Sequence, residues 1–262
     1  MNYLKLLDGK RAFITTGSQG IGKAIAVLFA RHGAVIALGG RNREKLERAL
    51  EDIRAFSPGS KSYPCDMGVK KSVEEACDQI IGDYGGIDIL VNTVGVNECR
   101  LPAHECDEDV LDALFETNYK SGLRCMKKFV PGMLERGYGN IINISSIHGV
   151  QTMPGFAIYG GTKGAMNATA RAAALDYARK GIRVNTICPG LILSDNIVKE
   201  IESYPEGAER EAFVEMLDKM QPLRPGHVED VANTALFLAS EMSGYITGQA
   251  IMVDGGASIK AH

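Results

Sequence analysis

Short apolar runs alternate with longer segments whose apolar residues recur at helical spacing. Arg11 to Thr15 is a brief apolar run that ends at a glycine turn, and Ile21 to Arg31 places Ile21, Ile25, Leu28 and Phe29 on one helical face. The pattern repeats with a strand at Val35 to Leu38, a charged amphipathic helix at Arg43 to Ala55, a strand at Lys61 to Cys65, a helix at Lys71 to Tyr84 and a strand at Ile87 to Asn92. A long helical stretch from Asp107 to Arg136 follows, with an interruption expected near Pro131-Gly132. A buried strand at Ile141 to Ser145, a helix at Tyr159 to Lys180 and a strand at Arg183 to Cys188 come next. Two helical pieces within Asp195 to Met220, a helix at Val228 to Leu238 and a strand at Gln249 to Val253 complete the chain.

Strands alternating with helices predict right-handed βαβ units, and so an α/β fold with a doubly wound parallel sheet. A length of 262 residues with 45% hydrophobic content suits one such domain, and no linker or repeat divides it. Residues 1–262 are therefore read as a single dinucleotide-binding and catalytic domain with an insert at about 191–223.

Charge and cysteine content narrow the function. A net charge of −3 and a pI near 6.0 argue against nucleic acid or an anionic membrane as partner, leaving a small molecule. No secretory signal or apolar span is expected, which points to the cytoplasm. The six cysteines, Cys65, Cys77, Cys99, Cys106, Cys125 and Cys188, lack metal-ligand spacing and are read as reduced thiols, with no metal site. Cys99 and Cys106 fall in a loop expected to border a pocket.

The candidate chemistry lies between Ser146 and Lys163. Tyr159 and Lys163 are four apart, so a helix opening after Pro154-Gly155 would put phenol and ammonium on one face. A phenol with an ordinary pKa of about 10 is a poor proton donor near neutrality, and an adjacent cation is expected to lower that value and make Tyr159 a general acid/base. Ser146, at the C-terminal end of a buried strand, could orient a substrate oxygen. Near the N-terminus, Thr15-Thr-Gly-Ser-Gln-Gly-Ile-Gly22 stands between strand and helix, where backbone amides and the helix dipole suit a pyrophosphate.

Together these residues resemble the short-chain dehydrogenase/reductase family, from about Leu7 to Gly256. The resemblance implies an oxidoreductase that transfers a hydride between a nicotinamide cofactor and a secondary alcohol or ketone. Its catalytic residues would be Asn118, Ser146, Tyr159 and Lys163, with Lys163 also holding the nicotinamide ribose and a water relay running from Asn118 through Lys163. It implies cofactor contacts from Thr15, Gly17, Ser18, Gln19, Gly20, Ile21, Gly22, Asp66, Asn92, Gly95, Tyr159, Lys163, Pro189, Gly190, Ile192 and Ser194. Arg41, following Gly39-Gly40 where a carboxylate would select NAD, would read the 2′-phosphate of NADP(H). Gln19 is neutral where many NADP-using members carry a second basic residue, and NAD(H) stays open as an alternative.

Three positions depart from the family pattern. Thr16 replaces its first glycine, where a β-carbon would cost about 1 kcal/mol if the position needs positive φ. Thr93 and Val94 stand within the segment that reads Asn-Asn-Ala-Gly in the family, and such departures keep a cofactor-binding regulatory or scaffold protein as the alternative to an enzyme. The walls of the substrate pocket are expected from Val94 to Cys106, His148 to Phe156 and Leu191 to Leu223. They suit sugars or polyols, hydroxysteroids and 3-oxoacyl thioesters alike. The resemblance also implies a homotetramer built on the Asp107–Arg136 and Tyr159–Lys180 helices.

Overall fold

A computed structural model describes residues 5–260. In chain order, β1 is Arg11–Ile14, α1 Gly20–Arg31, β2 Val35–Gly40, α2 Arg43–Arg54, β3 Lys61–Pro64, α3 Lys70–Tyr84 and β4 Ile89–Asn92. The second half comprises α4 Glu108–Phe115, α5 Ser121–Arg136, β5 Gly139–Ile144, α6 Ala157–Tyr177, β6 Ile182–Pro189, α7 Asp195–Ser203, α8 Ala208–Lys219, α9 Val228–Ala239 and β7 Ala250–Val253. These agree with the sequence pattern to within a few residues at each end, the usual scatter of element boundaries.

All seven strands are parallel, in the order β3-β2-β1-β4-β5-β6-β7. Successive strand residues face opposite layers. Ala12 and Ile14 of β1, Ile36 and Leu38 of β2, and Ile89 and Val91 of β4 pack with α1, α2 and α9. The intervening Phe13, Ala37 and Leu90 pack with α3, α5 and α6. Strands buried on both faces read as near-continuous apolar runs, which is why their positions were visible in sequence. Strand order reverses between β1 and β4, and the C-terminal edge there opens the crevice in which doubly wound sheets bind ligands.

The long helix breaks in a different place from the one expected. Pro131 lies inside α5 on an exposed face, and exposed Lys127 four residues earlier leaves the freed carbonyl within reach of water. Phe129, Val130 and Met133 hold that turn of the helix against the core. The irregularity instead falls at Glu116–Lys120, a single π-helical turn joining α4 to α5, with Asn118 at its centre. Such turns often occur at functional sites because the extra residue redirects a side chain.

Candidate active site

β5 runs fully buried to Ile144 and delivers Ser145 and Ser146 at the crevice edge. Ser146 is in extended backbone, is 8% exposed and accepts a hydrogen bond from His148 N at 3.2 Å. α6 then presents Tyr159 and Lys163 one turn apart. Lys163 is 1% exposed, with its ammonium 5.7 Å from the centroid of the Tyr159 ring. It donates to the carbonyl oxygens of Val94 and Ile144, both at 3.0 Å.

Burial pushes Lys163 down to about 8, because removing an ammonium from water disfavours its charge. Burial also moves the Tyr159 phenol above its ordinary value, while the Ser146 hydroxyl acts in the opposite direction. This reverses the sequence expectation that Lys163 would bring the phenol down. The ammonium is engaged by two main-chain carbonyls, and desolvation outweighs the Ser146 hydrogen bond, so the phenol keeps its proton through the neutral range. His148 stacks on Phe156 at 4.2 Å between centroids and meets Tyr159 edge-on at 6.0 Å. Burial lowers its pKa, so a neutral imidazole packs this wall.

Asn118 is completely buried and makes a two-way clamp on the loop after β4. Its Nδ2 donates to Val96 O and its Oδ1 accepts from Val96 N, each at 2.8 Å, while Nδ2 also reaches Thr162 Oγ1 at 3.3 Å. Its side-chain bonds go to Val96 and Thr162, not to Lys163. Gly95, next to this clamp, faces the centre of the constellation. A β-carbon there would lie 3.1 Å from Lys163 Nζ and 3.9 Å from the Tyr159 hydroxyl.

Beyond Gly95 a cavity of about 450 Å³ extends along the crevice to the end of β2. Of the predicted residues, Ser18, Gln19, Gly20, Ile21, Gly22, Arg41, Asp66, Gly95 and Ser194 line it. Gly22 is required by close approach, since a β-carbon would come within 1.9 Å of Thr16 O. Tyr159 and Lys163 do not line the cavity and meet it only next to Gly95, while Thr15, Gly17, Asn92, Pro189, Gly190 and Ile192 lie outside it and shape its supports. Thr15 Oγ1 accepts from Thr93 N, Gly17 N donates to Gly39 O, and Asn92 Nδ2 donates to Asn143 Oδ1. Pro189 pairs with Val253 at the sheet edge, Gly190 N donates to Val253 O, and Ile192 belongs to the core.

Two of the family departures form one structural feature. Thr16 and Thr93 share a hydroxyl–hydroxyl bond of 2.8 Å, and Thr93 Oγ1 also accepts from Thr16 N and donates to Thr16 O, each at 3.0 Å. The pair ties the loop after β1 to the end of β4 at the strand-order reversal. No non-glycine residue among those described has positive φ, so the expected crowding at Thr16 is absent. Val94 is buried in the core and lends its carbonyl to Lys163.

Lys45 and Asp195 are among the cavity residues that the sequence did not single out. Lys45 lines the cavity beside Arg41, and its Nζ donates to Gln19 Oε1 at 3.1 Å. The neutral Gln19 therefore holds a second cation in place; the signal was Lys45's position in the first turn of α2, four residues after Arg41. Asp195 Oδ2 accepts from Gly20 N at 2.7 Å, placing a carboxylate at the start of α1. No local pattern announces that contact across 175 positions.

Comparisons with known proteins agree with this architecture. A family model described as enoyl-(acyl carrier protein) reductase matches residues 16–258. An uncharacterized oxidoreductase, YxbG of Bacillus subtilis, is 37% identical over 95% of this chain and 91% of its own length. The 3-oxoacyl-(acyl-carrier-protein) reductase FabG of Staphylococcus epidermidis is 34% identical over 94% of this chain and 98% of its own. Among solved structures, L-sorbose reductase of Gluconobacter frateurii complexed with NADPH and L-sorbose superposes with a TM-score of 0.91 at 32% identity, covering 97% of this chain and 98% of that one. ElxO with NADP bound gives 0.88 at 30% identity over 96% and 99%. The chain belongs to the short-chain dehydrogenase/reductase family and is an NAD(P)-dependent oxidoreductase acting on CH–OH groups.

Proposed function

We propose that this protein reduces a ketone on a small molecule, and oxidises the corresponding secondary alcohol in reverse, with NADP(H) preferred and NAD(H) the weaker cofactor. The carrying observation is the buried Lys163 ammonium beside the Tyr159 phenol, both next to Gly95, which lines a cavity that also bears Arg41 and Lys45. The residues fit a dinucleotide. Gly95 leaves open the space beside Lys163 and Tyr159 that a β-carbon would occupy, and Gly20, Ile21 and Gly22 at the start of α1 line the cavity, where a helix N-terminus suits a phosphate. Arg41 and Lys45 would hold the 2′-phosphate, Gly20 to Gly22 the pyrophosphate, Asp66 the adenine, Ser194 the nicotinamide side and Lys163 the adjoining ribose. NADPH, when bound, supplies the hydride.

In the reducing direction the Ser146 hydroxyl donates to the carbonyl oxygen and orients it. Tyr159, protonated at neutral pH, gives its proton to that oxygen as negative charge develops there. The nearby Lys163 ammonium then stabilises the phenolate by charge. Asn118 keeps Val96 and the neighbouring Gly95 in place, and the proton relay implied by the family resemblance would return a proton through Lys163. The relatives' names direct the substrate search to 3-oxoacyl thioesters and ketoses. NADPH oxidation measured across a panel of both, with hydroxysteroid ketones added, tests this reading; binding of NADPH with no turnover on any member would favour the regulatory or scaffold alternative.

We assign the enzyme to the cytoplasm, since all six cysteines are unbridged, as a reducing compartment would keep them. Among the described residues, no helix is long and apolar enough to cross a membrane. We also infer a homotetramer. Ala168, Ala172 and Leu175 form an outward stripe on α6, with Leu175 85% exposed, and such a patch suits close helix contact between subunits. Sedimentation as a 28.2 kDa monomer at micromolar concentration would refute it.

A further inference from the structure

The loop between β4 and α4 holds two thiols that hydride transfer does not use. Cys99 Sγ and Cys106 Sγ face each other at 2.6 Å, although the residues are seven apart and each is unbridged. Cys99 is 4% exposed, whereas Cys106 is the one cysteine of the six that is not buried. A reagent from solution can therefore reach Cys106, while Cys99 stands behind it.

The surroundings fix the loop on both sides of Cys99. Val96 is clamped by Asn118, and Glu98 lines the cavity. The carbonyl of Arg100 lies against Gly155, and its guanidinium sits 5.8 Å from the centre of the Phe156 ring. Cys106 directly precedes Asp107, whose side chain caps α4. The remaining thiols are placed differently: Cys65, Cys77, Cys125 and Cys188 are all buried.

We propose that Cys99 and Cys106 are an oxidation site, a dithiol that a low-molecular-weight disulfide converts reversibly into a bridge tying the cleft wall to the start of α4. The Cys106 thiolate attacks one sulfur of the reagent, forming a mixed disulfide as the reagent's S–S bond breaks, and the departing thiolate takes up a proton. The Cys99 thiolate then attacks Cys106 Sγ, forming the internal S–S bond and expelling the second reagent thiolate, which is protonated in turn. Two protein thiols are oxidised, one reagent disulfide is reduced to two thiols, and the cysteine protons end on the products. The second step is intramolecular and needs only that the two sulfurs keep the proximity they already have.

The contact with Cys99 holds the Cys106 thiol up at about 11, since it favours the protonated form. The thiolate is therefore a minor form of Cys106 at neutral pH, and the first step should accelerate about tenfold per pH unit below that value. Bridging is thus slow at neutral pH and set by the oxidant's concentration and the pH.

The test incubates the folded full-length protein with oxidised glutathione at about pH 7 and about pH 9, then quenches, unfolds and counts thiols. The expected result is a fall from six thiols to four, about a hundredfold faster at the higher pH, a peptide map joining Cys99 to Cys106, and recovery of six on adding dithiothreitol. Cys99→Ser should stop at Cys106 capped by glutathione; the wild-type count decides the matter even if that variant folds poorly. Retention of six thiols at the higher pH, a bridge between any other pair, or wild-type protein arrested at the glutathione adduct would each overturn the proposal.

Discussion

Near Tyr159 the polar groups of Lys163 and Asn118 are buried and held mainly by main-chain atoms, whereas near Arg41 those of Lys45 and Gln19 are half-buried and meet each other's side chains. Lys163 is held by two carbonyls and Asn118 by both main-chain polar atoms of Val96. Lys45 is held by Gln19, and the start of α1 by Asp195 from beyond β6. These main-chain partners, Ile144 at the end of β5 and Val94 and Val96 on the loop after β4, cannot rotate away as a side chain can. The Tyr159 end should therefore respond steeply to substitution and to pH, and the Arg41 end more gently and with sensitivity to salt.

The largest expected effect breaks the Tyr159 end. Tyr159→Phe should leave NADPH affinity nearly unchanged while lowering turnover by a factor on the order of 10² or more, as removal of a general acid does. Near-normal kcat in a folded variant would remove Tyr159 from that role.

Lys163 sharpens the comparison through stability. Below about pH 8 the lysine is charged in both folded and unfolded chains, and the folded state carries the desolvation cost. From about 8 to 10.5 the unfolded chain binds more protons than the folded one, so stability rises with pH on this account. Relative to Lys163→Met, the wild type should gain up to about 3 kcal/mol over that window. Denaturant unfolding of both proteins across it would show a constant difference if the buried ammonium were not responsible.

At the Arg41 end, Arg41→Ala should weaken NADPH by roughly ten- to a hundredfold and NADH little, the worth of a charge-assisted bond. Lys45→Ala should act in the same direction but less, and both losses should shrink as salt is raised. Equal weakening of the two cofactors would show that neither cation reads the phosphate.

Between the two ends, Thr93→Val should destabilise the fold by about 1–2 kcal/mol by removing the partner of Thr16 N–H and Thr16 O. Combining it with Thr16→Val should add little further loss, since Thr93→Val has already broken the hydroxyl–hydroxyl bond that Thr16→Val removes. Fully additive unfolding energies would mean that the two threonines act separately.

The smallest effect concerns Asp195. Its carboxylate occupies the α1 start where a pyrophosphate would bind, so Asp195→Asn should tighten NADPH by about two- to fivefold at low salt, the scale of one charge at a helix terminus. Titration by fluorescence in the variant and wild type reads this directly, and weaker binding in the variant would show that Asp195 assists the phosphate instead.

The sequence by itself determined the alternating architecture, the Gly-rich turn and the Ser146, Tyr159 and Lys163 spacing. These depend on periodicity and on short local distances, which a chain carries into any fold. The tertiary structure decided what depends on groups distant in sequence: the pairing of Thr16 with Thr93, the two carbonyls that hold Lys163, the Asp195 contact and the upward shift of the Tyr159 phenol. It also moved the irregularity of the long helix from Pro131 to Asn118, because exposure makes the proline tolerable and burial turns the asparagine onto Val96. Burial and long-range contacts set charge and direction, and neither is written in local spacing.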